Sequence, residues 1–118
     1  MPKVMVVDDA SFMRMRCRQM LDDNGFDVVE AANGIEAIAV YKESHPDMVL
    51  MDITMPDMDG LTALKHLRQL DSNARVAMVT AMGQQAIVVD ALKSGAKDFV
   101  VKPFAAERVL AAVKKILS

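Results

Sequence analysis

Tryptophan is absent from this sequence, and four phenylalanines and one tyrosine supply all of its aromatic surface. The core must therefore be built from Val, Ile, Leu, Ala and eleven methionines. A single cysteine, Cys17, excludes an internal disulfide and makes a reducing compartment the simpler expectation. It stands at helical spacing from Met13, Met20 and Leu21, which reads as a buried structural thiol. No apolar run approaches the roughly 18 residues needed to cross a bilayer, and the N-terminus lacks the charged-then-apolar pattern of a secretion signal. Cytoplasmic location with no membrane partner is the expectation. Charge of one sign is lacking too: 14 basic against 16 acidic residues leave a net charge of -2, so nothing pulls the chain toward nucleic acid. Neither GxxxxGK[ST] nor GxGxxG occurs, which removes a nucleotide P-loop and a dinucleotide fingerprint. Linker, repeat and low-complexity tracts are missing as well, so 118 residues read as one domain.

What is present is alternation. Val4-Met5-Val6-Val7 forms a short apolar run that ends at Asp8-Asp9. Ser11 is the expected N-cap of a helix reaching about Asn24, and Gly25 suits its left-handed end. A more polar strand around Val28 and Val29 follows, and its polarity predicts an edge position. Asn33-Gly34 opens a second helix that His45-Pro46 closes. Met48-Val49-Leu50-Met51 then runs straight into Asp52, the pattern of a strand buried on both faces. Asp59 can cap a third helix to about Leu70, and Val76-Ala77-Met78-Val79 is a fourth strand ending at Thr80. A short helix from about Gln84, a fifth strand from Asp98 to Lys102 and a last helix to about Leu117 complete the series. Five strand-helix units imply an α/β fold, a doubly wound parallel sheet of five strands with five helices on its two faces.

In a parallel sheet the strand ends share one rim, and ligands bind in the crevice outside it. Here those ends are Asp8 and Asp9, Asp52, Thr80 and Lys102. Three mutually repelling carboxylates call for a cation. All-oxygen donors suit Mg²⁺, with Mn²⁺ as the alternative, and no His or Cys lies near enough for zinc. A hydroxyl and an ammonium facing that cation make a clamp for a dianionic group. Together with one carboxylate left as nucleophile, this is the equipment for phosphoryl transfer to an aspartate.

These residues, in this order, resemble the response-regulator receiver family of two-component signalling, with its flavodoxin-like, CheY-like fold. The matching pieces are Asp8-Asp9, Asp52, Met55-Pro56, Asp59-Gly60, Thr80-Ala81 and Lys102-Pro103-Phe104, and they span the whole chain. The resemblance implies strand order 2-1-3-4-5 and a receiver without an output domain. It makes Asp52 the acceptor of a phosphoryl group from a histidine kinase. It gives Mg²⁺ to Asp9, Asp52 and the backbone carbonyl of Thr54, with Asp8 acting through water. Lys102, the Thr80 hydroxyl and the Ala81 amide would hold the phosphoryl oxygens, and the Lys102-Pro103 bond would be cis. Phe99 takes the place of a switch aromatic that turns inward as Thr80 moves, so that Val88, Phe99 and Pro103 belong to the partner-facing surface. The run from Ala81 to Gln85 and the segment from Asp9 to Arg14 resemble chemotaxis-type single-domain regulators. That implies a monomer whose effector is a flagellar motor-switch protein, with a phosphatase among its partners. Thr54 and Met82 would flank the water that ends the phosphorylated state.

Other readings stand beside this one. A hydrolase of small phosphomonoesters would share nucleophile and metal. A degenerate receiver would bind partners without phosphate, and a receiver cut from a longer regulator would serve another pathway. Asp57-Met58-Asp59-Gly60 resembles a haloacid-dehalogenase nucleophile loop, but Pro56 precedes it where that motif needs a strand, so a capping loop is the better reading. Arg14, Arg16 and Arg18 read as a solvated helix face, and His45 and His66 as surface residues. In the fourth helix Ile87, Val88 and Val89 exceed what one buried face needs, so at least one should be exposed. The resemblance selects Val88.

Overall fold

Each strand alternates its side chains between two faces, and here both faces are apolar. The computed structural model describes residues 2–81, 84–103 and 105–118. Its elements run β1 (Lys3–Val7), α1 (Ser11–Asp23), β2 (Asp27–Ala31), α2 (Gly34–Ser44), β3 (Met48–Asp52), α3 (Gly60–Leu70), β4 (Val76–Ala81), α4 (Gln85–Lys93), β5 (Asp98–Lys102) and α5 (Ala106–Leu117). All strand pairs are parallel, and the sheet order is β2-β1-β3-β4-β5. The doubly wound α/β fold and its strand order are therefore as expected, with β2 at an edge.

The period of two sorts the core into two layers. Val4, Val6, Met48, Leu50, Ala77 and Val79 pack under α1 and α5, against Cys17, Leu21, Val109 and Val113. Met5, Val7, Val49, Met51, Val76 and Met78 pack under α2, α3 and α4, against Ala37, Tyr41, Leu64, Leu67 and Ala91. All five residues of β3 are buried, Asp52 included, because this strand is central and covered on both sides.

The helix ends are chemically specified. The Asn33 side chain accepts from the Glu36 amide at 2.8 Å and the Asp59 side chain from the Thr62 amide at 2.8 Å, as N-caps do. Gly25 and Gly95 adopt positive φ where α1 and α4 end, and His45 does so ahead of Pro46. Ser11 does not cap α1. It is the first helical residue, and Ala10 holds the cap position with no side-chain bond. The reason lies one turn earlier: Asp8 Oδ1 accepts from the Ala10 amide at 2.9 Å, so a carboxylate organises the exit from β1. Met82, Gly83 and Phe104, which carry parts of the motifs read above, lie outside the described residues.

Candidate functional site

The ends of β1, β3 and β5 deliver four charged groups to one point on the rim. Carboxylate oxygens of Asp8, Asp9 and Asp52 all lie within 4.8 Å of one another. Lys102 Nζ stands 3.2 Å from Asp8 Oδ2 and 3.6 Å from Asp52 Oδ2. Asp8 and Asp52 are buried, whereas Asp9 is exposed at the mouth. Three carboxylates against one ammonium leave negative charge uncompensated in a partly dry site.

Burial and that imbalance together act on the ionisation of the site. Burial, and then the neighbouring Asp8, push the Asp52 carboxyl up to about 6, even though Lys102 and a bond from the Thr54 backbone pull the other way. For Lys102, burial would lower the ammonium, but Asp52 and Asp8 outweigh it and the net direction is upward. A permanently charged lysine and an under-compensated set of oxygens fit a hard divalent cation, which favours carboxylate donors.

The next strand end is wired differently. The Thr80 hydroxyl, itself buried, lies 2.7 Å from Gln84 Oε1, and the Ala81 amide donates to the same oxygen at 2.8 Å. Gln84 Nε2 in turn donates to Thr54 Oγ1 at 2.9 Å. One side chain thus ties the end of β4 to the loop after β3.

Behind Thr80 lies an apolar groove of about 450 Å³, lined by Gln84, Val88, Val89, Leu92, Phe99 and Val101. Phe99 is half-buried there. Val88 does not play the exposed part expected of it. It is 7% exposed and belongs to the core, while Val89 is 48% exposed. Val88 and Ala91 share the inner face of α4 at a spacing of three, which turns Val89 and Leu92 outward. Pro103 follows a cis peptide bond, as expected, but borders a different cavity with Met13, Cys17, Met20 and Ala106. It is not brought to the Phe99 groove. The Cys17 thiol is pushed up to about 11, chiefly by burial, so it stays protonated and inert.

Three contributors to the site escape a linear reading. Arg14 Nη1 donates to the Asp8 backbone carbonyl at 2.6 Å, while its Nε pairs with Glu30 at 3.0 Å. Arg18 joins the same Glu30, so these two arginines are not a free solvated face but a clamp from α1 onto β2. The available signal was Glu30, a carboxylate inside the edge strand rather than at its end. Gly60 is the second. A Cβ there would stand 2.0 Å from the Asp52 carbonyl oxygen and 2.8 Å from Ile53 Cα, so α3 touches the backbone of the site directly. Gln84 is the third; it lies within the run from Ala81 to Gln85, but nothing in that run singles out its carboxamide four residues after Thr80.

The family described as a response regulator receiver domain matches residues 4–114. The chain is 57% identical over 117 residues to a chemotaxis protein CheY of Bacillus subtilis, covering 98% of each. It is 50% identical over 115 residues to a chemotaxis protein CheY of Thermotoga maritima, covering 97% of this chain and 96% of that one. Among solved structures, a CheX–CheY–BeF3–Mg²⁺ complex from Borrelia burgdorferi superposes with a TM-score of 0.94 at 40% identity, over 99% of this chain and 90% of that one. The receiver domain of NtrX from Brucella abortus gives a TM-score of 0.93 at 29% identity, with 97% of each chain covered.

Proposed function

This chain belongs to the response regulator receiver family of two-component systems, and from that premise we propose that it is a phosphoryl-operated switch with Asp52 as acceptor. The observation that carries the reading is the convergence of Asp8, Asp9, Asp52 and Lys102 on one rim. Asp8, Asp9 and Asp52, with the Thr54 carbonyl, are the residues that would hold Mg²⁺. When bound, the cation neutralises charge on the carboxylates and on the incoming phosphoryl group.

The chain's own groups do the rest. An Asp52 carboxylate oxygen forms a bond to phosphorus as the P–N bond of a histidine-kinase phosphohistidine breaks. The electron pair leaves with the imidazole, which takes up a proton, and an acyl phosphate remains on Asp52. Lys102, positioned between Asp8 and Asp52, pairs with a phosphoryl oxygen. The Thr80 hydroxyl and the Ala81 amide turn to the other phosphoryl oxygens. Movement of Thr80 opens room behind it for Phe99, and the groove formed by α4 and β5 changes shape. We assign the output to a chemotaxis effector of the flagellar motor-switch kind, supported by the names of the relatives at 50–57% identity. A phosphatase would end the signal, and the protein acts on itself rather than turning over a free substrate.

Incubation with acetyl phosphate and Mg²⁺ tests the reading. The protein should gain one acid-stable, alkali-labile phosphate, and Asp52→Asn should gain none. Equal incorporation by the variant, or multiple turnover of a small phosphomonoester, removes it.

A further inference from the structure

We propose that Gln84 is a built-in stand-in for the phosphoryl group, its carboxamide oxygen occupying the Thr80–Ala81 cradle at rest and having to leave it when Asp52 is phosphorylated. The inference rests on the switch reading above and adds to it a competitor supplied by the chain itself.

Two donors from β4 converge on one acceptor atom, Thr80 Oγ1 at 2.7 Å and Ala81 N at 2.8 Å from Gln84 Oε1. That is the arrangement by which proteins hold an oxyanion. The orientation of the amide is fixed by chemistry. The Ala81 N–H can only donate, so the atom facing it is the oxygen, and the nitrogen is left to donate to Thr54 Oγ1 at 2.9 Å. Gln84 thus spans from the end of β4 to a residue two positions beyond Asp52.

The same residue is anchored to the helix that borders the groove. Gln84 immediately precedes α4, and its carbonyl accepts from the Val88 amide at 3.0 Å. Holding or releasing the side chain therefore holds or releases the first turn of α4, whose next turns present Val89 and Leu92 to solvent.

The latch is weak by construction. Gln84 is only half-buried and Ala81 is exposed, so water can satisfy both once they part. Thr80 also has a second acceptor within reach, the Ala81 carbonyl at 3.0 Å. A phosphoryl oxygen carries charge, and bonds to a charged acceptor are about twice as strong as neutral ones, so the phosphoryl group displaces the carboxamide. Displacement still costs the net worth of about one neutral hydrogen bond, because water takes over the other, roughly a three- to tenfold penalty in affinity.

Beryllium fluoride, bound at saturating Mg²⁺ and followed by titration calorimetry, measures that penalty. Gln84→Ala should bind the mimic about three- to tenfold more tightly than the unaltered protein. Gln84→Leu, which keeps the bulk without the hydrogen bonds, should behave alike and guards against a packing effect. Affinity for Mg²⁺ alone should stay the same, which a general loosening of the site would not allow. In a Thr80→Val background the gain from Gln84→Ala should shrink, because one of the two shared donors is gone. Gln84 variants that bind the mimic no more tightly, or that gain as much without Thr80, overturn the proposal while leaving the switch reading intact. Unaltered protein that binds no beryllium fluoride removes the switch reading and this proposal with it.

Discussion

Replacing Asp52 should make the metal-free protein more stable. Asp52 is a buried carboxyl pushed up to about 6 from an ordinary value of 3.8, by burial first and Asp8 second. The folded protein therefore holds the Asp52 proton to higher pH than the unfolded chain does. Below the unfolded value the group is neutral in both states and contributes no penalty. As pH rises through the interval to about 6, the folded state must increasingly carry an unfavourable charge, and above it the penalty is complete. A shift of about two units corresponds to roughly 3 kcal/mol. Asparagine keeps the shape and removes the charge, but it also takes one of two carboxylate partners from Lys102. The net gain for Asp52→Asn near neutral pH is thus about 1–3 kcal/mol, or roughly 4–12 °C in melting temperature for a chain of this size. Thermal melts in chelator, followed by circular dichroism at neutral pH and again near pH 3, below the ordinary value of 3.8, read it directly. The gain should vanish at the acid end. It should also shrink when Mg²⁺ is added, since ligand binding stabilises the unaltered protein more. A variant no more stable than its parent at neutral pH, or a gain of the same size in acid, refutes the charge-imbalance account of the rim.

Two other substitutions probe the same site from opposite sides. Lys102→Met removes the ammonium that competes for Asp8 and Asp52, so Mg²⁺ should bind about tenfold more tightly by calorimetry while phosphate uptake falls; weaker metal binding would show that Lys102 does not oppose the cation. Gly60→Ala places a methyl group 2.0 Å from the Asp52 carbonyl oxygen. Because backbone atoms on both sides must shift, urea denaturation should record a loss of about 2–3 kcal/mol and acetyl phosphate should label the protein more slowly; a change within about 0.5 kcal/mol would mean that α3 can slide away freely.

Much of this architecture is legible in the chain because it follows short-range rules. A run such as Met48-Val49-Leu50-Met51 has only one comfortable place, the centre of a sheet covered on both faces. Asn33 and Asp59 announce their helices because capping is a contact with a residue three positions on. The carboxylates and Lys102 could be grouped from sequence because parallel strands put their ends on one rim. What stayed hidden depends on docking. Three successive branched residues, Ile87-Val88-Val89, leave the rotation of α4 undecided, and the sheet settles it by taking Val88 and Ala91. Ser11 fell inside the helix and left the cap position to Ala10, because Asp8 fixes the Ala10 amide as the chain leaves β1. The arginines of α1 found Glu30 only because α1 lies beside β2. Gln84 offers both a donor and an acceptor, so only its three-dimensional partners reveal that its oxygen faces Thr80 and Ala81.

The central claim is that one particular carboxylate takes the phosphoryl group. Borohydride reduces an acyl phosphate to an alcohol and so converts a phosphorylated aspartate to homoserine, which peptide mass spectrometry locates. After treatment with acetyl phosphate and Mg²⁺, homoserine should appear at position 52 and should be absent when chelator replaces the metal. Conversion at Asp8, Asp9 or Asp57 instead, or no conversion anywhere, would contradict the assignment of Asp52.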